Sequence, residues 1–386
     1  VTLLGPLSIE NGRTLSLLSS GLVNFSTLTV NTQGGLNFTF LRLEDSASIA
    51  GSGSIDLNAS GNLDTGAITS ASPQHVLTHG QTHRIRGTGR VYAAVNNEGT
   101  IGGDRAGLPL EIRSTVTQAT TGVVNATNGA LTLLGSGATV TGGTMSTASG
   151  GVIRTSGSAA VGGLTLSGQL EVGNGTEMPL LPGMLVNLGT LTVNPTQGLN
   201  FTGVQVQGVA TLAGPGRMVL NASNNPDTAY VTTAVGATLV NGAGHTITGN
   251  GAISGQMTNS GRLEASNSDA AAVLRLRGSV NQQGGVIAGG VGGIALQNGR
   301  VLGGLLLGSE AQPVRVIENG NVLENVVNLG GLLIDNGSRV ELRGFINNGT
   351  VVVNRTKGLN FTSAGLPTTG TIGGTGELRL NASGNF

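Results

Sequence analysis

The sequence predicts an all-β protein, a parallel β-helix with about 20 residues in each rung. Three observations support this fold: short segments that alternate apolar and polar residues, a long internal repeat, and few large side chains. The chain has 386 residues, of which 68 are Gly and 2% are aromatic, and it has no Trp and no Cys. Such a composition suits a thin core of stacked Val, Ile and Leu better than one large globular interior.

The alternating segments are four to six residues long, and turn pairs such as Asn-Gly, Gly-Gly and Ser-Gly separate them. Examples are residues 27–30 (Thr-Leu-Thr-Val), 54–57 (Ser-Ile-Asp-Leu) and 377–380 (Glu-Leu-Arg-Leu). Alternation with a period of two predicts strands, and Gly interrupts every candidate helix. A string of sandwich domains would show linkers and recurring aromatic anchors, whereas Tyr92 and Tyr230 do not recur at equivalent positions.

Two sequence markers define the long repeat. Residues 35–39, 198–202 and 358–362 each read Gly-Leu-Asn-Phe-Thr, and about 21 residues later a Leu-Asn-Ala-Ser segment follows each copy. The copies are 163 (199 − 36) and 160 (359 − 199) residues apart. We therefore predict one continuous rod of two super-repeats, residues 1–163 and 164–323, and the start of a third, residues 324–386, with about eight rungs in a full super-repeat. Both ends fall inside the pattern, so we expect a segment of a longer chain.

Comparison of the copies predicts which side chains point inward. Positions 55/218/378 and 57/220/380 stay apolar, while the position between them is Asp56, Val219 or Arg379, so the first two should face the core. By the same alternation, the apolar residues of the first marker should fill the core: Leu36, Phe38, Leu199, Phe201, Leu359 and Phe361.

The polar residues of the first marker should then face outward, although they are the same in every copy. This makes them candidates for a repeated surface contact, or for glycan attachment, because each Asn begins an Asn-Phe-Thr sequon. A structural role at rung corners is the simpler interpretation of most asparagines in the chain. The candidate residues are Asn37, Thr39, Asn200, Thr202, Asn360 and Thr362.

Several segments resemble large secreted bacterial surface proteins. Residues 186–194 (VNLGTLTVN), 95–103 (VNNEGTIGG) and 346–354 (INNGTVVVN) share, in degenerate form, the pattern Val/Ile-Asn-x-Gly-Thr followed by Ile, Leu or Val. It is typical of β-helical adhesins of the autotransporter and filamentous-haemagglutinin type and of giant repeat proteins related to them. The resemblance implies a right-handed β-helical rod, outside a bacterial cell or on its surface, that serves adhesion or builds a matrix or filament.

Enzyme chemistry is not expected. A β-helical polysaccharide lyase or hydrolase, the weakest alternative, needs clustered carboxylates with basic groups and sugar-stacking aromatics on one face. The dense spots are Arg42 with Glu44 and Asp45, and Asp104 with Arg105, and the second repeat lacks matching charges. We interpret them as surface ion pairs and predict no catalytic residues and no cofactor.

Other ligand classes are also not expected. The formal net charge is zero, so no basic surface for nucleic acid is indicated, and no apolar run approaches the length of a membrane span. His75, His79 and His83 are spaced four apart, which on a helix could hold a metal ion, but the surrounding pattern predicts strands and turns. We interpret them as solvated turn histidines and predict no metal site.

The function that we expect is structural. The chain would form or contribute to a fibre, matrix or adhesive filament through lateral or end-to-end self-association, with cell-surface or matrix polysaccharide as a further candidate partner. The alternative is a receptor- or glycan-binding passenger domain of an adhesin. That alternative predicts an insertion that interrupts the repeat, and the least repeat-like stretches are residues 67–75 and 305–321.

Overall fold

The computed structural model describes residues 1–265, 273–368 and 370–382, and this part of the chain consists of short strands joined by turns. Every strand pair with a defined register is parallel, as between residues 54–58 and 84–88. The described helical segments are two single 3₁₀ turns, Leu63–Thr65 and Pro226–Thr228. No helix in the described residues is long and apolar enough to cross a membrane. The prediction of an all-β, parallel, repeating structure is confirmed.

The chain divides into two units, the first formed by Val1–Leu181 with Leu188–Thr190 and the second by Pro182–Asn187 with Leu191–Phe386. The first unit contains strands β1 to β22, which in order are Thr2–Leu3, Leu7–Ile9, Thr14–Leu17, Leu22–Asn24, Thr27–Val30, Phe40–Leu43, Ala47–Ala50, Ser54–Asn58, Ala67–Ser70, Val76–His79, Arg84–Val91, Ala94–Asn97, Thr100–Gly103, Pro109–Ile112, Thr115–Ala126, Leu131–Leu134, Thr139–Thr147, Val152–Thr155, Ala160–Gly162, Thr165–Ser167, Gln169–Val172 and Glu177–Leu180.

The second unit contains strands β23 to β45, apart from Thr190 at the start of β24. In order they are Gly183–Asn187, Thr190–Val193, Thr202–Val206, Val209–Ala213, Arg217–Asn221, Ala229–Thr233, Thr238–Asn241, Thr246–Asn259, Arg262–Ala265, Leu274–Gln282, Val286–Ala288, Ile294–Leu302, Leu305–Leu307, Val314–Ile317, Asn321–Glu324, Val327–Asn328, Gly331–Ile334, Arg339–Arg343, Phe345–Asn347, Thr350–Val353, Ser363–Gly365, Ile372–Gly373 and Glu377–Leu380.

Within the first unit the strands form three parallel stacks that the chain visits in turn. One stack runs through β2, β5, β8 and the start of β11. A second runs through β3, β6, β9 and the end of β11. The third runs through β1, β4, β7, β10 and β12. Each circuit of three strands therefore makes one coil of a solenoid.

The second unit has the same arrangement, and its three stacks are named A, B and C here. Stack A contains β23, β26, β29, the ends of β30, β32 and β34, and then β37, β40 and β43. Stack B contains β24, β27, the start of β30, and then β31, β33, β35, β38, β41 and β44. Stack C contains β25, β28, the middle of β30, the starts of β32 and β34, and then β36, β39, β42 and β45.

The core of each unit is a column of aliphatic side chains, one from each successive strand of a stack. In the first unit, consecutive register partners are fully buried, and in order they are Ile55, Ile85, Ile101, Val124, Met145 and Leu166. In the second unit the corresponding column through stack C is Val204, Val231, Ile253, Leu276, Leu296, Val316, Ile334 and Val353. Like side chains thus lie directly on one another, which explains a core without large aromatics.

The coils differ in length because the turns between strands differ. Ile85 pairs with Ile101, 16 positions later, whereas Ile55 pairs with Ile85, 30 positions later. The corners require unusual backbone: six of the ten described non-glycine residues with positive φ are Asn. Asn tolerates this left-handed region better than other L-residues, so the prediction of asparagine at the corners is confirmed.

The aliphatic column gives the first testable prediction. Ile101→Ala leaves a cavity between two fixed neighbours, so the free energy of unfolding should fall by about 3 kcal/mol. Urea titration would measure this change. Thr117→Ala, on the exposed side of β15, is the control and should change the free energy by less than about 0.5 kcal/mol. Equal effects of the two substitutions would contradict the inward assignment.

Candidate interaction site

The Gly-Leu-Asn-Phe-Thr segments are surface loops whose shape is fixed by an asparagine four residues before the glycine. Asn31 has a φ of 64°, donates from Nδ2 to the Gly35 carbonyl at 2.8 Å and accepts from Gly35 N at 2.9 Å. Asn194 makes the same pair of bonds to Gly198, both 2.8 Å. Asn354 makes them to Gly358, both 2.9 Å. One buried amide therefore closes each loop.

The second marker holds the loop from the next coil. Asn58 donates from Nδ2 to the carbonyls of Asn31 and Thr32 at 3.0 and 3.3 Å. Asn221 does the same to Asn194 and Pro195 at 3.1 and 3.2 Å. The two markers are thus one coil apart, and this spacing places Asn58 and Asn221 next to the loops that they hold.

The serine of the second marker is hydrogen-bonded to the 3₁₀ turn that follows it. Ser60 N donates to Thr65 Oγ1 at 2.9 Å and Ser223 N donates to Thr228 Oγ1 at 2.9 Å. In the third copy, Ser383 lies outside the described residues.

The preceding coil also contributes. Asn37 N donates to Asn11 Oδ1 at 2.9 Å, and Gly12 N donates to Thr39 Oγ1 at 2.9 Å. In the third copy, Asn360 N donates to Asn336 Oδ1 at 3.1 Å and Gly337 N donates to Thr362 Oγ1 at 2.9 Å. Each of these loops is therefore held from within and from the coil before it, which leaves its backbone little freedom.

The prediction that the leucines and phenylalanines of these loops fill the core is wrong. The exposed fractions are 81% for Leu36 and 56% for Phe38, and the other four are also exposed: Leu199, Phe201, Leu359 and Phe361. The physical reason is that the loop begins at a left-handed Asn and leaves the strand, so strand alternation does not apply to it. Six large apolar side chains therefore project from rigid loops.

The polar residues of the loops divide into two groups. Asn37, Asn200 and Asn360 are exposed, as expected. The outward prediction is wrong for Thr39 and Thr202, which are fully buried, and Thr362 is half-buried. Thr39 Oγ1 donates to the Asn37 carbonyl at 3.1 Å, and the same bond recurs at Thr202 (3.0 Å) and Thr362 (3.1 Å). The threonines are constant because they fold the loop.

The other inward positions are as predicted in two copies. Ile55, Leu57, Met218 and Leu220 are buried, with Asp56 and Val219 half-buried between them. Leu378 and Leu380, in the last described strand, are exposed instead. That strand pairs with β42 on one side, and no described residue covers its other side.

The interpretation of the histidines as solvated is wrong for His79 and His83, which are fully buried, while His75 is half-buried. A chain of hydrogen bonds passes through the two rings. Asn24 Nδ2 lies 3.0 Å from His83 Nε2, His83 Nδ1 lies 3.0 Å from His79 Nε2, and His79 Nδ1 lies 2.7 Å from Asn97 Oδ1. Asn24 also accepts from Ser26 N, which orients its amide and makes each ring in turn an acceptor at Nε2 and a donor at Nδ1.

A matching polar ladder lies in the second unit. His245, also buried, places Nδ1 2.7 Å from Asn241 Oδ1. Asn241 donates to Asn259 Oδ1 at 2.7 Å, and Asn259 donates to Gln282 Oε1 at 2.7 Å. Asn241 occupies the repeat position of His79, so an amide and an imidazole serve the same purpose. These side chains form hydrogen bonds with one another and with backbone groups at the corners, so their role is structural.

Of the dense charged spots, Arg42 and Glu44 form the predicted ion pair, with Arg42 Nε 3.3 Å from Glu44 Oε1. Asp104 pairs with Arg86 at 3.4 Å, and Arg105 Nη1 instead donates to Asn58 Oδ1 at 2.8 Å. A third cluster that the sequence did not indicate lies on adjacent strands. Glu111 is buried between Arg90 and Arg113, with distances of 2.5 and 2.8 Å.

One of the two least repeat-like stretches borders a cavity. Ala311, Pro313 and Arg315 line a space of about 590 Å³ in the second unit, together with Gly293, Leu333, Asp335 and Arg355. Arg315 pairs with Asp335, while its Nε atom is buried without a hydrogen-bond partner among the described residues. Arg355 Nη1 donates to the Glu310 carbonyl at 3.4 Å. Two guanidinium groups therefore line the cavity, each with one described partner.

Comparison with known proteins gives no match of this chain to a protein-family model, to a curated protein sequence or to a solved structure. The candidate site is therefore defined by its own geometry.

The histidine ladder gives a pH prediction. Burial lowers the pKa of His79 to about 4, and burial together with the neighbouring His79 lowers the pKa of His83 to about 3. Both values lie below the ordinary value of 6.5, so the unfolded chain binds protons more strongly. The free energy of unfolding should keep the full contribution of these histidines above pH 6.5 and should fall as the pH decreases from 6.5 toward 4. Urea titrations across this range would measure it.

His79→Asn is the matched variant, since the second unit already carries Asn241 at that position. The ladder should persist with one titrating ring fewer, and the loss of stability at pH 4 should shrink by on the order of 2 kcal/mol. An unchanged pH dependence in this variant would show that the ladder does not cause it.

Proposed function

We propose that this chain is a segment of an extracellular bacterial β-helical rod, right-handed and with about 20 residues in each rung, that assembles with copies of itself into a fibre, matrix or adhesive filament. The observation that carries the proposal is the repeated exposure of a Leu and a Phe on a loop of constant shape. The resemblance of segments such as residues 186–194 to secreted surface proteins supports the location. The super-repeats 1–163, 164–323 and 324–386 are part of this proposal.

Exposed apolar residues scattered singly need no explanation, whereas a pair repeated in the same loop does. Burying one such Leu or Phe in an interface contributes about 1.5–3 kcal/mol. Because hydrogen bonds already fix each loop, little conformational entropy is lost on association. We name the two side chains of each copy an apolar tip: Leu36/Phe38, Leu199/Phe201 and Leu359/Phe361.

Charge does not oppose association between copies. The formal net charge is zero, and residues 31–39 and 194–202, which contain the first two tips, carry no charged side chain. The third loop carries Arg355 and Lys357. Contacts between the first two tips of neighbouring chains should therefore respond weakly to salt.

Glycan attachment is compatible with the geometry of the Asn-Phe-Thr sequons in the loops but not with that of the Asn-Ala-Ser sequons of the second marker. Asn37, Asn200 and Asn360 are exposed. Asn58 and Asn221 use Nδ2 to hold the loop of the preceding coil, so modification would break that clamp.

Substitution of the tips tests the proposal. Replacing all six tip residues by Ser should shift the chain from assemblies to monomer in sedimentation velocity and abolish bundles in electron micrographs. The control is Val235→Ser, an exposed apolar residue outside the loops, which should assemble normally. Unchanged assembly of the six-residue variant, with the fold intact by circular dichroism, would refute the role of the tips.

A second candidate function is binding of an acidic saccharide in the cavity beside residues 311–315. Arg315 and Arg355 present donors suited to carboxylates, and Pro313 and Leu333 provide apolar surface. The cavity adjoins residues 305–321, one of the two stretches of the sequence that are least like the repeat.

Calorimetry with tetragalacturonate would test this second function, with maltotetraose as the neutral probe. Arg355→Ala should weaken binding of the acidic probe about tenfold or more, as expected for loss of a charge-assisted contact. Arg13→Ala, an exposed arginine of the first unit, should leave it unchanged. Equal binding of both probes, or none, would reject the function.

A further inference from the structure

The second and third apolar tips lie at different corners of the second unit. The loop of the second tip joins β24 in stack B to β25 in stack C, and it is clamped by Asn221, the last residue of β27 in stack B. The loop of the third tip joins β42 in stack C to β43 in stack A. Equivalent loops, 160 residues apart in sequence, therefore lie at successive corners.

The strand count explains the shift. From β27 to β45 the chain passes 22 strand segments, counting β30 as three and β32 and β34 as two each, because these strands bend from one stack into the next. With three segments in each coil, 22 segments make seven coils and one segment more. The repeat is therefore not a whole number of coils, whereas about eight rungs were expected. Each repeat ends one stack further around.

The corner asparagines show the same shift independently. Asn187 is the last residue of β23 in stack A, and its repeat equivalent Asn347 is the last residue of β41 in stack B. Asn347 accepts from Asn328 Nδ2 at 2.8 Å and donates to the Glu377 carbonyl at 3.0 Å, so it is part of a ladder like that of Asn241 and Asn259. Two separate features thus advance by one stack in one repeat.

We infer that each chain uses its second and third tips to bind two different copies of itself, at two different corners. This inference rests on the proposed self-association. A neighbour that docks on one corner leaves the other tip, at the next corner around the unit, free for another copy. A second copy fits each tip because it carries the same uncharged Leu–Phe pair, and two like tips can meet about a two-fold axis. Assembly therefore extends from chain to chain and does not stop at a pair.

Cross-linking tests this inference, and the chain has no cysteine of its own to interfere. Asn200→Cys and Asn360→Cys place an exposed thiol at the second and third tips, and Val235→Cys is the control outside the loops. With a short bismaleimide, each single tip variant should give dimers at several times the yield of the control. The double variant should give trimers and longer ladders on a denaturing gel, because each chain is then joined to two neighbours.

The outcomes separate the inference from the function on which it rests. Dimers from both single variants, with a double variant that also stops at dimers, would show that both tips meet one neighbour and would overturn the inference alone. If the single variants, alone or mixed, cross-link no better than Val235→Cys, self-association through the tips is overturned as well.

Discussion

Satisfying the backbone at the corners is the constraint on which this structure depends. Within a stack, each strand finds its hydrogen bonds in the strands above and below, but at every turn the chain leaves that ladder. Asparagine meets the need because its amide donates and accepts, and because it tolerates positive φ. Asn24 and Asn187 do this from inside the corner, and Asn31 does it at the base of a surface loop. The abundance of Asn is thus a structural requirement.

The surface loop shows why a sequence marker can be constant without being core. The side chains of Asn31, Asn58 and Thr39 form hydrogen bonds to the loop backbone, so the fold requires these residues at their positions. Leu36 and Phe38 are mostly exposed, and the one ring contact of Phe38 is with Phe40, so they contribute little to the fold. Their retention in every copy is therefore what needs a reason beyond folding, and burial against another molecule supplies one.

Sequence reasoning predicted the strands and the inward positions, such as Ile55 and Leu57, because side chains of a strand alternate strictly. It failed at Leu36 and Phe38, where the same rule was applied to a segment that is not a strand. The available signal was Asn31, which recurs four residues before each Gly, but hydrogen bonds between coils cannot be read from one segment. The burial of His79 and His83 was missed for the same reason, since Asn97, the partner of His79, is 18 residues away and Asn24, the partner of His83, is 59 residues away.

A repeat of seven coils and one strand has a consequence for how such a molecule can grow. A whole number of coils would align every copy of a loop on one side and favour a two-chain ribbon. The additional strand moves each new copy to the next stack, as Asn221 in stack B and β45 in stack C show. Three stacks offer three sides, so a chain of several repeats would present tips all around. Repeating a fractional number of coils therefore places equivalent loops in more than one direction around the solenoid, without changing the loop itself.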